Sequence, residues 1–186
     1  IANGFTVFGM DLKPDRQVAF ADMGGTLMNG AAQLGQHVDA AFVMVMNGDQ
    51  AKSVILGPDG LVENMAKGGA VILSATIKPH EAIEIGATMQ GSGIDLIDTP
   101  VSGGFPGAQG GTLTMMAAAP DDVMERTRPV LEAVSASIHH VGTKAGDGQK
   151  VKACLQSLIG SVFSATFEAA ALAAKAGVSG DVLLNV

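Results

Sequence analysis

At 186 residues, 47% of them hydrophobic, the chain is long enough to bury a substantial core and to hold one full domain with part of a second. A net charge of −7 and a pI near 4.9 argue against nucleic acid or an anionic membrane as partner. The single cysteine, Cys154, excludes an internal disulfide framework and any cysteine-based zinc site, and fits a reducing cytoplasm.

The opening stretch "IANGFTVFGMD" reads as the tail of a helix, a turn at Asn3-Gly4 and then a strand, so the expectation is that something preceding it is missing. It carries no charged and then apolar secretory leader. Apolar runs then recur at Phe5–Met10, Ala41–Met46, Ala70–Thr76 and Ile94–Val101. Their near-continuous hydrophobicity predicts parallel strands covered on both faces. Between them Pro14–Met23, Asp49–Leu56, Gly60–Lys67 and Pro79–Gln90 suit helices, two of which start at proline. This alternation of strand and helix is a doubly wound α/β pattern.

A glycine-rich loop, "DTPVSGGFPGAQGGTL", follows the strand that ends near Val101. After it come a strand ("GTLTMMAAA"), a helix opened by Pro120-Asp121-Asp122, and a strand ("SIHHVG"). From Asp147 to about Ala176 one long helical pattern runs until Gly177, which suits a connector into a second, helical region. Its segment Ala153–Ala174 is apolar, but it holds Gln156 and Glu168 and is rich in Ala and Ser. It therefore reads as a buried or interdomain helix rather than a membrane span.

The loop lacks the lysine and the spacing that a phosphate loop needs. Ser102, Gly103 and Gly104 have no bulky side chains, so a hydroxyl and exposed backbone N–H groups there can make a small anion site. An ordinary strand-end turn is the plainer alternative. Gly107, Ala108, Gly111 and Thr112 read as aids to close packing.

Taken together, "DTPVSGGFPGAQGGTL" and "GDGQKVKACLQ" (Gly146–Gln156) resemble the substrate-binding and catalytic segments of the β-hydroxyacid dehydrogenases, the 3-hydroxyisobutyrate dehydrogenase group. The second segment matches that family's Gly-x-Gly-x-x-x-Lys-x-x-x-Asn pattern, except that Gln156 stands where Asn is usual. Lys followed four residues later by Gln, together with "VMNGDQAKSVILGPDG", is similar to the branch acting on four-carbon sugar acids such as threonate and erythronate. The resemblance implies a Rossmann-like NAD domain over residues 1–142, a long interdomain helix, and the start of an all-α domain over residues 143–186. The family's first strand and its Gly-x-Gly-x-x-Gly turn have no counterpart here.

The implied activity is hydride transfer between NAD and the hydroxyl carbon of a small 3-hydroxy acid. Alternatives are a tartronate or succinic semialdehyde-type reductase, or an inactive truncated fragment retained as a binding module. On the residues alone, Lys152 reads either as a solvated lysine or as a base whose pKa an apolar cleft lowers; the resemblance assigns it the catalytic role. Gln156, four residues on and on the same helix face, would orient the substrate. The Ser102-Gly103-Gly104 loop would meet the substrate carboxylate.

Asp11, at the end of its strand, would accept bonds from the adenosine ribose hydroxyls and favour NAD over NADP, although nearby Lys13 could hold a 2′-phosphate. The resemblance also places Met46 and Asn47 along the cofactor and Thr76 near the nicotinamide. The histidines (His37, His80, His139, His140) have no metal-ligand spacing, so no metal is expected. The apolar long helix suggests a homo-oligomer, with a dimer the simplest.

Overall fold

The structure is a computed structural model that describes all residues, Ile1–Val186. It divides into two compact units, Ile1–Lys150 and Val151–Val186.

In the first unit β1 (Phe8–Gly9), α1 (Pro14–Asp22) and β2 (Thr26–Leu27) form a small βαβ unit whose two strands pair in parallel. Proline at the start of α1 pre-sets the helical φ, and its missing N–H is one that the first turn leaves unpaired in any case. A short helix, α2 (Ala31–Gly35), leads to β3 (Ala40–Val43). Next come α3 (Gly48–Leu56), α4 (Leu61–Asn64), β4 (Ala70–Leu73), α5 (Pro79–Met89) and β5 (Asp95–Asp98). Strands β3, β4 and β5 are parallel neighbours.

Every residue of β4 is buried. Val71 and Leu73 join the cluster containing Ala51, Ile55 and Ile85, while Ile72 joins Ile97, Met115 and Leu131 on the other face. Side chains of a strand alternate between faces, so a strand covered on both sides must be apolar throughout. Each such Ile or Leu contributes roughly 1.5–3 kcal/mol through burial.

The remainder departs from the expected parallel pattern. β6 (Val101–Ser102) and β7 (Leu113–Ala118) are antiparallel, and β7 also meets β5 antiparallel through Asp98 and Ala118. β8 (Ser135–Gly142), reached through α7 (Asp121–Glu132), then pairs with β7 in parallel. The main sheet runs β3-β4-β5-β7-β6, with β8 on β7. Hydrophobic periodicity carries no strand direction, and a two-way turn through the glycine-rich segment reverses the chain here. Part of that segment is itself helical, as α6 (Gly104–Gly110).

Gly148, just after β8, serves contact rather than flexibility. A Cβ on Gly148 would stand 2.5 Å from Met116 O and 2.6 Å from Asp98 O, so only glycine lets this backbone approach the sheet.

α8 (Asp147–Lys175) begins in the first unit and continues through the second, and α9 (Gly180–Asn185) follows it. It ends where Gly177 takes φ +80°, a left-handed position that favours glycine. By length and composition alone α8 could cross a membrane, and it exposes Leu158, Val162, Phe163, Phe167 and Leu172.

Candidate active site

The parallel strands place several of the expected residues along one sheet edge. Val43, Leu73 and Asp98 lie side by side at the C-terminal ends of β3, β4 and β5. The segments carrying Met46–Asn47 and Thr76 therefore leave the sheet from neighbouring strands at the same edge, and the chain that passes beyond Asp98 there enters β6, which ends at Ser102. In open α/β sheets this is the edge where ligands bind. Met46 is 85% exposed, and its N–H donates to Gln50 Oε1 at 2.9 Å. The Asn47 carboxamide oxygen caps α3 by accepting from Gln50 N at 2.9 Å, which leaves its amide hydrogens to offer a ligand. Thr76 is exposed between buried Ala75 and Ile77.

Asp11 follows β1. One carboxylate oxygen accepts from Lys13 N at 2.9 Å, and the Asp11 carbonyl accepts from Gln17 Nε2 at 2.6 Å. These bonds turn the chain into α1 and hold Asp11 at the wall of a cavity of about 270 Å³. Met10, Leu27 and Met28 give that cavity apolar surface, and Asn29 and Gln17 give it polar groups. A carboxylate beside an apolar wall suits a nucleoside, whose ribose hydroxyls donate and whose base is flat and apolar-faced. The residues present thus fit the adenosine half of a dinucleotide.

Ser102 ends β6, paired with Thr114, and is half-buried. Gly103 and Gly104 follow at φ +122° and +58°, values that L side chains rarely adopt, and both are exposed. Gly107 is buried, and a Cβ there would stand 3.3 Å from Leu113 Cδ2; Gly111 takes the left-handed cap of α6. Gly107 thus has the packing role expected of it, whereas at Gly111 it is the left-handed backbone, with no atom nearer than 3.8 Å to an added Cβ, that favours glycine.

Two residues that sequence reasoning missed organise the start of α8. Asp98, fully buried, accepts from the backbone N–H groups of Gly146 at 2.8 Å and Gln149 at 3.3 Å. Its other oxygen accepts from Gln149 Nε2 at 2.9 Å. Burial pushes the Asp98 carboxyl above its usual range, and these donors oppose that shift. The available signal was polarity in the wrong place: an aspartate ending an apolar strand and a glutamine among glycines both need buried partners.

Lys152 stands three residues after Gln149 on α8 and is 7% exposed. Burial lowers its ammonium pKa below the usual lysine value, and it takes part in no ion pair. Gln156 is exposed one turn further along the same helix, so both side chains project from one helix face. Lys150, by contrast, is exposed and bonds Asp147 at 2.9 Å. Cys154 is an exposed free thiol. No group of three or more His, Cys, Asp or Glu side chains is gathered to hold a metal ion.

Residues 1–142 match the family described as the NAD binding domain of 6-phosphogluconate dehydrogenase. An L-threonate dehydrogenase of Escherichia coli O6:H1 is 37% identical over 184 residues, covering 98% of this chain and 61% of that protein. A 3-hydroxyisobutyrate dehydrogenase of Pseudomonas aeruginosa is 34% identical over 183 residues, with coverages of 98% and 61%. The crystal structure of a 3-hydroxyisobutyrate dehydrogenase from Salmonella typhimurium superposes with a TM-score of 0.90 at 34% identity, covering 99% of this chain and 64% of that one. The chain thus spans 61% of the length of these curated relatives.

Proposed function

We propose, from the premise that this chain belongs to the family of the NAD binding domain of 6-phosphogluconate dehydrogenase, that it is the larger part of an NAD-dependent oxidoreductase acting on a small hydroxy acid. The observation that carries the reading is Lys152, a buried lysine with no anionic partner, near the start of the helix that follows the cofactor domain. Burial makes such an amine give up its proton more readily than an exposed lysine does, which suits it to take and return a proton in the reaction.

In this reading Asp11 accepts from the adenosine ribose hydroxyls, and its charge disfavours a 2′-phosphate, so NAD is preferred to NADP. Met46 and Asn47 border the cofactor at the end of β3, and Thr76 borders its nicotinamide end. Bound NAD supplies the hydride acceptor. The Ser102 hydroxyl and the backbone of Gly103 and Gly104 hold the substrate carboxylate without a dedicated arginine. Lys152 removes the hydroxyl proton during oxidation and returns it during reduction. Gln156, on the same helix face, orients the substrate against Lys152.

The relatives' names divide among hydroxy acids, so the substrate is proposed by class, with four-carbon sugar acids first because L-threonate dehydrogenases stand among the relatives. The exposed apolar residues of α8 are read as covered by protein in a soluble, cytoplasmic homo-oligomer, with no nucleic-acid or membrane partner. A panel of hydroxy acids and semialdehyde acids, assayed by NADH absorbance with the full-length protein, tests the reading. Turnover of L-threonate or 3-hydroxyisobutyrate with NAD is expected. Turnover of semialdehyde acids alone would replace the function with that of a reductase, and no turnover of any would refute it.

A further inference from the structure

The Gln149 side chain, 1% exposed, has all its polar groups engaged. Its amide nitrogen donates to Ala75 O at 3.0 Å and to Asp98 Oδ1 at 2.9 Å, and its oxygen accepts from Ile77 N at 3.1 Å. The two peptide groups held by one planar carboxamide are those on either side of Thr76. The Asp98 carboxylate meanwhile closes the first turn of α8 through the N–H groups of Gly146 and Gln149. A single buried pair therefore ties together the exit of β4, the end of β5 and the beginning of α8.

We infer that Asp98 and Gln149 are positioning residues for the reaction: together they set the backbone at Thr76 and the rotation of the helix that carries Lys152. The inference rests on the reading of Thr76 and Lys152 given above. Lys152 follows Gln149 by less than one turn, so any roll of the helix at Gln149 carries the lysine with it.

Energetics do not call for such a pair. Burying a carboxylate and a carboxamide is costly unless every donor and acceptor is satisfied, and apolar residues of equal volume often serve stability as well or better. What a saturated planar carboxamide supplies and a methionine cannot is direction. Catalysis is sensitive to that quality, since a misplacement of about 1 Å can cost roughly 10²-fold in rate.

The test uses the full-length enzyme and its Gln149→Met and Asp98→Asn variants. Three quantities are read: kcat with the best hydroxy acid, NADH affinity by fluorescence titration, and amide hydrogen exchange at Ile77 in the cofactor-free protein. For Gln149→Met the expectation is a kcat roughly 10²-fold lower, by the positional sensitivity above, with NADH affinity within about threefold and faster exchange at Ile77. Asp98→Asn places an amide N–H against Gln149 Nε2 and breaks one link of the network, so about a tenfold loss is expected, and it serves if the methionine variant does not fold. A kcat per folded molecule equal to wild type in a variant whose Ile77 exchange has accelerated would overturn the inference, as would unchanged exchange. Lys152→Ala is run alongside. If that variant turns over normally, the functional reading fails; if it is inactive while Gln149→Met is not, only the positioning role fails.

Discussion

Gly148 brings the backbone of α8 so close to β5 that a methyl group in place of its hydrogen would sit 2.6 Å from the carbonyl oxygen of Asp98. Both that atom and Met116 O, at 2.5 Å, belong to the sheet backbone and cannot swing aside. The Gly-x-Gly of this segment is thus a docking feature, bringing the start of the helix to the sheet edge where the strands end.

Gly148→Ala should therefore destabilise the protein by about 2 kcal/mol or more, the scale of an overpacked site that backbone must absorb. Gly160→Ala is the control, since it lies in α8 with nothing within 4 Å of the added carbon. It should stabilise by roughly 0.5–1 kcal/mol through helix propensity. Urea unfolding of both variants in one background measures the contrast, and equal midpoints would contradict it.

Asp11→Asn isolates the charge. The variant keeps a side-chain oxygen for the bond from Lys13 N, so the turn into α1 should persist. Its discrimination against the 2′-phosphate should weaken, shifting the ratio of kcat/KM for NADP over NAD upward by about tenfold, as expected for loss of a charged partner worth ~1.5 kcal/mol. An unchanged ratio would remove Asp11 from cofactor selection.

The pH dependence follows from the lowered pKa of Lys152, caused by burial. Oxidation needs the neutral amine, so its kcat/KM should rise with pH and level off at a pKa below the ordinary lysine value of 10.5. The stability sign is the same, because the folded state disfavours the charged amine. Stability should increase as pH rises from the lowered folded pKa toward the unfolded one. A rate that keeps climbing to pH 10.5 would show a lysine of ordinary basicity.

Much of this was legible in the chain, for identifiable reasons. Pro14 and Pro79 marked the starts of α1 and α5, and Gly177 marked the end of α8. What escaped reading depended on partners far away in sequence or on short elements. The segment Gly104–Gly110 has poor helix propensity, yet it makes one because Pro106 sits in the first turn, where N–H groups are unpaired, and Gly111 closes the other end. Strands Thr26–Leu27 and Val101–Ser102 are too short for any period to show. At the site, Lys152 and Ser102 stood out by motif, whereas Asp98 and Gln149 meet across 51 residues of chain and show only in three dimensions.

The most direct test of the account is the effect of Lys152→Ala in the full-length protein on NAD-linked oxidation of its best hydroxy acid, with NADH affinity measured on the same sample. A lysine that moves the proton should be worth roughly 10²–10⁴-fold in kcat, with NADH affinity nearly unchanged. Retained turnover, or an equal loss of turnover and of NADH binding, would contradict the role at the centre of this account.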